Sequence, residues 1–326
     1  MKYLLPVFLT LFFIFSGCSL LNGDDDTNIP GKIVFAANDE EGNSQIFSMR
    51  ADGTELRQLT FLEDDEAYLP AWSPDGTQIV FSTTLRSSSN GFSLYLMNAD
   101  GSNMRPMNEP QSSHIPTPGN NARWSPDGTR IVFDRCVSCQ VGTNVELFLY
   151  EFAIDSVIQL TNTDFPVSNG YPAWSPDGSR FAFITVRDYV DADTMRFRQD
   201  LYLFNSNGSN LKRITTTGFA RNPVWNPNGE AITFRSSDPK TNLGLFQVDL
   251  QSSQISRIKS NISGNMQLFP QAWSDDQNYL LATGRDLTAP QNFFMYIIDI
   301  INNENKQLPF GPSEISGADW FIPNYN

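Results

Sequence analysis

Cys136 and Cys139 form the stretch CVSC, directly after the expected strand Arg130–Arg135. Two cysteines at this spacing suit thiol–disulfide exchange, zinc ligation or a structural disulfide. Exchange chemistry wants a helix N-terminus to lower a thiol pKa, and the surrounding sequence has β character throughout. A zinc site needs two more soft ligands, and the only histidine, His114, lies on the preceding loop. A local disulfide between Cys136 and Cys139 is therefore expected, with no metal and no cofactor. Carboxylates are the other candidates. Hydrolysis of a glycosidic bond needs two of them flanking the bond, and Asp64, Asp65, Glu66, Asp188, Asp191 and Asp193 sit in segments that read as loops. No nucleophile elbow, zinc-protease helix, phosphate-binding glycine loop or calcium loop is present. No catalytic residue is assigned.

The elements that would hold these residues repeat. The six tryptophans, Trp72, Trp124, Trp174, Trp225, Trp273 and Trp320, recur every 47–52 residues. SPDG follows the first three, NPNG follows Trp225, and SDDQ follows Trp273. SPDG is a turn: serine caps, proline presets φ, aspartate tolerates the third position and glycine closes the fourth. Alternating apolar segments come next, QIVFST from Gln78, RIVFDR from Arg130, RFAFIT from Arg180, AITFRS from Ala231 and YLLATG from Tyr279. A third strand such as LYLM (94–97), a polar turn such as Asp100-Gly101, and a short fourth strand such as Gln159-Leu160-Thr161 complete each unit. Four strands per repeat without helical periodicity give an all-β, six-bladed β-propeller of four-stranded antiparallel blades. Residues 31–60 lack a first strand, and residues 315–322 supply one around Trp320. The two form a composite blade that closes the ring and removes two open sheet edges.

The pattern SPDG-x-x-IVF…LYLMNADGS…LT resembles the repeats of the TolB propeller family, over residues 31 to about 322. Similar repeats occur in the propellers of prolyl-oligopeptidase-type enzymes, but the α/β-hydrolase domain of those enzymes and the small N-terminal domain of TolB have no counterpart here. The resemblance implies a bare TolB-like interaction scaffold, since the TolB propeller binds a peptidoglycan-associated lipoprotein.

Lys2 followed by an apolar run over Tyr3–Phe15 is too short to span a bilayer and suits a signal peptide. Phe15-Ser16-Gly17-Cys18 resembles a bacterial lipobox, which implies lipidation at Cys18. The expected organisation is a signal peptide at 1–17, a disordered tether at 18–30 and the propeller at 31–326. The net charge of −14 opposes nucleic-acid binding.

The tight turns make one plain face of the ring. The other carries long connections, Thr83–Ser93, Arg135–Glu146, Thr185–Asp200, Ser236–Gly244 and Gly284–Asn292. The innermost strands start on that face, so Tyr68, Asn121, Tyr171, Arg221 and Phe269 are expected to ring the channel mouth. Aromatics and an arginine there suit a binding hot spot, although the aromatics could equally pack between blades. The expectation is a monomeric, non-catalytic protein of the bacterial envelope, lipid-anchored to the membrane, that binds an envelope protein or peptide. A carbohydrate-active or hydrolytic enzyme using loop carboxylates is the alternative.

Overall fold

The computed structural model describes residues 29–323, except 86–90, 108–116, 139–143, 165, 192–195, 238–242, 263 and 311–313; at 188–191 and 196–197 it describes backbone only. The expected signal peptide, most of the tether, Cys18, His114, Cys139 and Asp193 lie outside the described residues.

Twenty-four strands form six separate four-stranded antiparallel sheets. Blade 1 holds β1 (Lys32–Asn38), β2 (Ser44–Arg50), β3 (Arg57–Gln58) and, from the far end of the sequence, β24 (Ile315–Phe321). Blade 2 runs β4 (Ala67–Trp72), β5 (Gln78–Thr83), β6 (Ser93–Asn98) and β7 (Arg105–Pro106). Blade 3 is β8 (Asn120–Trp124), β9 (Arg130–Ser138), β10 (Asn144–Glu151) and β11 (Ser156–Gln159). Blade 4 is β12 (Ser168–Trp174), β13 (Arg180–Asp191), β14 (Arg196–Asn205) and β15 (Lys212–Arg213). Blade 5 is β16 (Ala220–Trp225), β17 (Ala231–Ser236), β18 (Gly244–Asp249) and β19 (Ile255–Arg257). Blade 6 is β20 (Met266–Trp273), β21 (Tyr279–Asp286), β22 (Phe293–Asp299) and β23 (Glu304–Gln307). The composite blade is as the sequence implies: β24 pairs with β1, Ile33 opposite Trp320 and Lys32 opposite Phe321.

Apolar residues fill consecutive strand positions because both faces of each blade are covered. Ile33 and Phe35 pack toward blade 6, while Val34 and Ala36 pack toward blade 2. Six buried clusters result, one between each pair of neighbouring blades. Four of the tryptophans tie neighbouring elements through their indole N–H, Trp273 to Thr233 Oγ1 at 3.1 Å among them. Trp174 Nε1 donates to the carbonyl of Arg123 (3.2 Å), and Trp225 Nε1 to that of Ala173 (3.1 Å), in each case one blade back. Trp320 Nε1 reaches the carbonyl of Pro30 at 3.1 Å. Arg130 and Arg180 lie over the Trp174 and Trp225 rings from the preceding blades.

The SPDG turns owe their uniformity to one bonding pattern. Ser125 Oγ donates to Asp127 Oδ1 and accepts from the Arg130 amide, and the Asp127 carboxylate accepts from the Thr129 amide. Gly128 closes the turn at φ 69°, a region that favours glycine. The recurrent threonine of strand four has a comparable purpose. Thr60, Thr161 and Thr215 each accept an amide from strand three, at Ile46, Leu147 and Leu201, with all three bonds 2.9 Å long. Each hydroxyl also donates to the side chain one residue earlier, at Gln45, Glu146 or Asp200.

One connection differs from the sequence reading. Thr185–Asp200 is mostly a hairpin arm rather than a loop, because β13 and β14 keep pairing out to Asp191 and Arg196. Cys136, at the outer part of β9, is disulfide-bonded.

Candidate functional site

The first strands of the blades line an axial cavity of about 700 Å³. Their geometry departs from simple alternation at one recurring place. Three residues before the tryptophan, Leu69, Asn121, Tyr171 and Asn222 all adopt φ of 49–55°. A register shift accompanies each, between Tyr68 and Ala71 in blade 2 and between Arg221 and Val224 in blade 5. Such bulges re-aim a side chain, and all four of these residues line the cavity. Pro270, whose ring forbids positive φ, and Gly317, at φ 147°, complete that level.

Of the five residues expected at the mouth, Asn121, Tyr171, Arg221 and Phe269 line the cavity. Tyr68 stands apart from the lining: its hydroxyl donates to Glu66 and its ring meets Phe92 edge-on at 5.5 Å. The bulge gives the lining position to its neighbour Leu69. Tyr171 is 45% exposed. Arg221 is exposed, and its Nε donates to Gln199.

Two charged groups not singled out from the sequence stand at this end of the ring, Arg235 lining the cavity and Asp134 behind the lining residues Asn121 and Tyr171. Asp134 on β9 and Arg235 on β17 occupy the same place in their repeats, the fifth residue of the second strand. Asp134 is 5% exposed and accepts from Asn121 Nδ2 (2.8 Å) and the Tyr171 amide (3.0 Å), linking blade 3 to blade 4. Burial raises its pKa to about 6, against the lowering effect of those donors and of Arg123. Arg235 is 6% exposed, lines the cavity and stacks on the Phe269 ring at 4.6 Å. Its Nε has no hydrogen-bond partner among the described residues. Burial lowers its pKa to about 10, and the neighbouring charges of Arg221 and Arg285 add to the depression. Among the described residues, no carboxylate forms an ion pair with Arg221, Arg235 or Arg285.

A separate charged pair sits at the level just before the tryptophans. That level carries Ala71, Ala173, Val224 and Ala272, but also Arg123 and Asp319. Burial depresses the Arg123 pKa and raises that of Asp319, while their mutual attraction opposes both shifts. Asp319 also accepts from the Trp72 amide at 2.8 Å, tying blade 1 to blade 2.

The candidate loop acids that the structure describes fall on different blades. Asp65 accepts from Thr84 at 2.9 Å and Glu66 accepts from Tyr68, both beside blade 2, whereas Asp188 and Asp191 belong to β13 of blade 4. Among the described residues, no group of three or more His, Cys, Asp and Glu is placed to hold a metal ion.

A closed ring of six four-stranded blades around a polar axial cavity defines the class, a six-bladed β-propeller. Within that class the chain belongs to the TolB β-propeller domain family, which matches residues 84–314. It is 24% identical over 229 residues to the uncharacterized protein Atu1656 of Agrobacterium fabrum, covering 67% of this chain and 71% of that one. It is 28% identical over 172 residues to the Tol-Pal system protein TolB of Francisella tularensis, covering 52% of this chain but only 36% of TolB. Among solved structures, TolB from Acinetobacter baumannii superposes with a TM-score of 0.67 at 17% identity, over 89% of this chain and 66% of that one. Oligogalacturonate lyase from Vibrio parahaemolyticus gives a TM-score of 0.54 at 16% identity, over 85% and 74%. At such identities the likeness shows the shared fold alone.

Proposed function

We propose that the chain is a non-catalytic binding scaffold of the bacterial envelope, which takes a protein or peptide partner at the channel mouth on the long-connection face. The observation that carries this reading is the gathering of Tyr171, Arg221, Arg235 and Phe269 from three successive blades around one cavity. Aromatic and arginine side chains at a concave site are the usual anchors of protein recognition. The opposite face is built from near-identical tight turns whose polar groups are already bonded to one another. The name Tol-Pal system protein TolB supports an interaction role by analogy. The apolar run over Tyr3–Phe15 and the Cys18 context support export and lipid anchoring. An N-terminus carrying two or more acyl chains gives stable membrane attachment.

A photo-crosslinking residue at Tyr171, set against one at Asp127 on the turn face, tests the binding reading in envelope extracts. A partner trapped from Tyr171 and not from Asp127 supports it. Equal trapping from both, or from neither, removes it. Turnover of a glycan and peptide panel that disappears in Asp191→Asn would favour the enzyme alternative. Mass spectrometry of the mature N-terminus tests the anchor: an unacylated end starting elsewhere than Cys18 ends that claim.

A further inference from the structure

A buried guanidinium with an unmet donor is unusual, because a buried charge is ordinarily paired or fully hydrogen-bonded. Arg235 is 6% exposed, its Nε has no partner among the described residues, and the side chain borders the cavity. The charged and titratable groups that act on it most are Arg221, Tyr171 and Arg285, none of them a carboxylate. Arg221 lies directly opposite Arg235 across the β16–β17 ladder. Like charges placed opposite one another destabilise a sheet, so this arrangement opposes folding unless something else compensates for it. The sequence makes it more conspicuous, since 36 acidic residues outnumber 22 basic ones. Carboxylates are plentiful in the chain, yet among the described residues none forms an ion pair with either guanidinium, and Asp134 beside Tyr171 is taken up by Asn121 and the Tyr171 amide. Carboxylates gather instead across the ring, where Glu66 and Glu314 act on Tyr68 of blade 2. Phe269 holds the guanidinium plane by stacking, which keeps the fork oriented without consuming its donors.

We propose that Arg235 and Arg221, framed by Tyr171 and Phe269, form a carboxylate-binding site that receives an acidic group of a peptide entering the channel mouth. This rests on the scaffold reading above and specifies what the scaffold recognises. Arg235 supplies a fixed, desolvated fork suited to bidentate carboxylate binding. The exposed Arg221 adds charge at the entrance and steers an anion inward. The two aromatic side chains offer apolar surface to the rest of the peptide. The Arg123–Asp319 pair cannot serve this purpose, because each member already has the other's opposite charge.

The test uses three small probes, followed by isothermal calorimetry with the whole chain. They are N-acetyl-triglutamate amide, N-acetyl-triglutamine amide and N-acetyl-triglycine with a free C-terminus. Triglutamate amide is expected to bind and triglutamine amide not to; binding of triglycine would assign the site to a C-terminal carboxylate instead of a side chain. Arg235→Met should weaken binding about thirtyfold or more, Arg235→Lys should restore only part of it because lysine lacks the fork, and Arg50→Gln on the turn face should change nothing. The melting temperature gives an independent readout. Arg235→Met removes an uncompensated buried charge, so its melting temperature should match or exceed that of the parent, and triglutamate should stabilise the parent only. A lower melting temperature for Arg235→Met, or equal binding of all three probes, overturns the proposal. If a partner trapped at Tyr171 is trapped equally well with Arg235→Met, the carboxylate site falls and the scaffold reading stands. If triglutamate binds through Arg235 but no partner is trapped, the scaffold reading falls and the site stands.

Discussion

Blades 3 and 5 place opposite charges at one and the same point of the repeat, and they treat them differently. Asp134 accepts two hydrogen bonds, one of them from the backbone of the next blade. Arg235 stacks on an aromatic ring and leaves its Nε unbonded. Both are more than nine-tenths buried. The first charge is saturated within the fold and works as a joint between blades. The second keeps an unbonded Nε among the described residues, which is where the proposed carboxylate would bind. On the proposed reading, equivalent positions in a repeat protein separate structural charges from recognition charges, with the remaining blades as internal controls: Ala36, Ser82, Ile184 and Thr283 stand at the same point in blades 1, 2, 4 and 6.

The most drastic way to break this comparison is to open the ring that presses both side chains inward. Deleting residues 314–326 removes β24 and with it the pairing to β1. Truncating Trp320, which is 7% exposed, to alanine alone should cost roughly 3–5 kcal/mol, against a whole-domain stability of about 5–15 kcal/mol. Calorimetry of the deletion is expected to show a broad, low-temperature transition; a melt like that of the full chain would refute the composite closure.

Next in size is Asp134→Ala. It orphans the Tyr171 amide and the Asn121 side chain, for an expected loss of about 2–4 kcal/mol in urea titrations. Arg235→Met in the same titrations should show no loss. If both variants lose stability alike, the distinction between the two positions fails.

A smaller effect sharpens the comparison through pH. The Asp134 pKa rises on folding, from about 3.8 to about 6, chiefly through burial. The folded state then binds the proton more tightly than the unfolded state, so stability from this group is greatest below pH 4 and declines as pH rises toward 6. Asp134→Asn keeps an acceptor for both donors and should flatten that decline in thermal melts between pH 4 and 6. The turn aspartates act with the opposite sign. Serine hydroxyls hold Asp127 and Asp177 down to about 2, so their contribution is present above pH 4 and is lost as pH falls toward 2. The smallest predicted change is Ser175→Ala, which removes the 2.5 Å bond to Asp177 and should cost about 1 kcal/mol while weakening the acid-side dependence.

The six tryptophans and the SPDG turns make the blade count and the closing strand legible in the sequence, because each repeat states its geometry in the same residues. The mouth was only partly readable. Taking the first residues of each innermost strand as the mouth overlooks the bulge three residues before the tryptophan, and in blade 2 it is Leu69, not Tyr68, that lines the cavity, although Arg221 and Phe269 at the spacing of Tyr68 do line it. Arg235 escaped notice inside AITFRS, which looks like an ordinary buried strand. Aligning the second strands by their fifth residue would have exposed it, since Asp134 and Arg235 are the two charged residues at that point. The extended hairpin beyond Thr185 was missed because its polar composition resembles a connection, and the pairing that holds it is not written in either strand alone.

The hydrogen bond from Trp320 to Pro30 spans 290 residues of sequence. At a synthesis rate of roughly 5–20 residues per second, β1 waits about 15–60 s for its last neighbour. During that interval its apolar IVF run forms a sheet edge that any other strand could join. Blade 1 is thus the first to be made and the last to be finished. The order in time runs against the order in space, and the nascent chain needs protection at its beginning until its end has arrived.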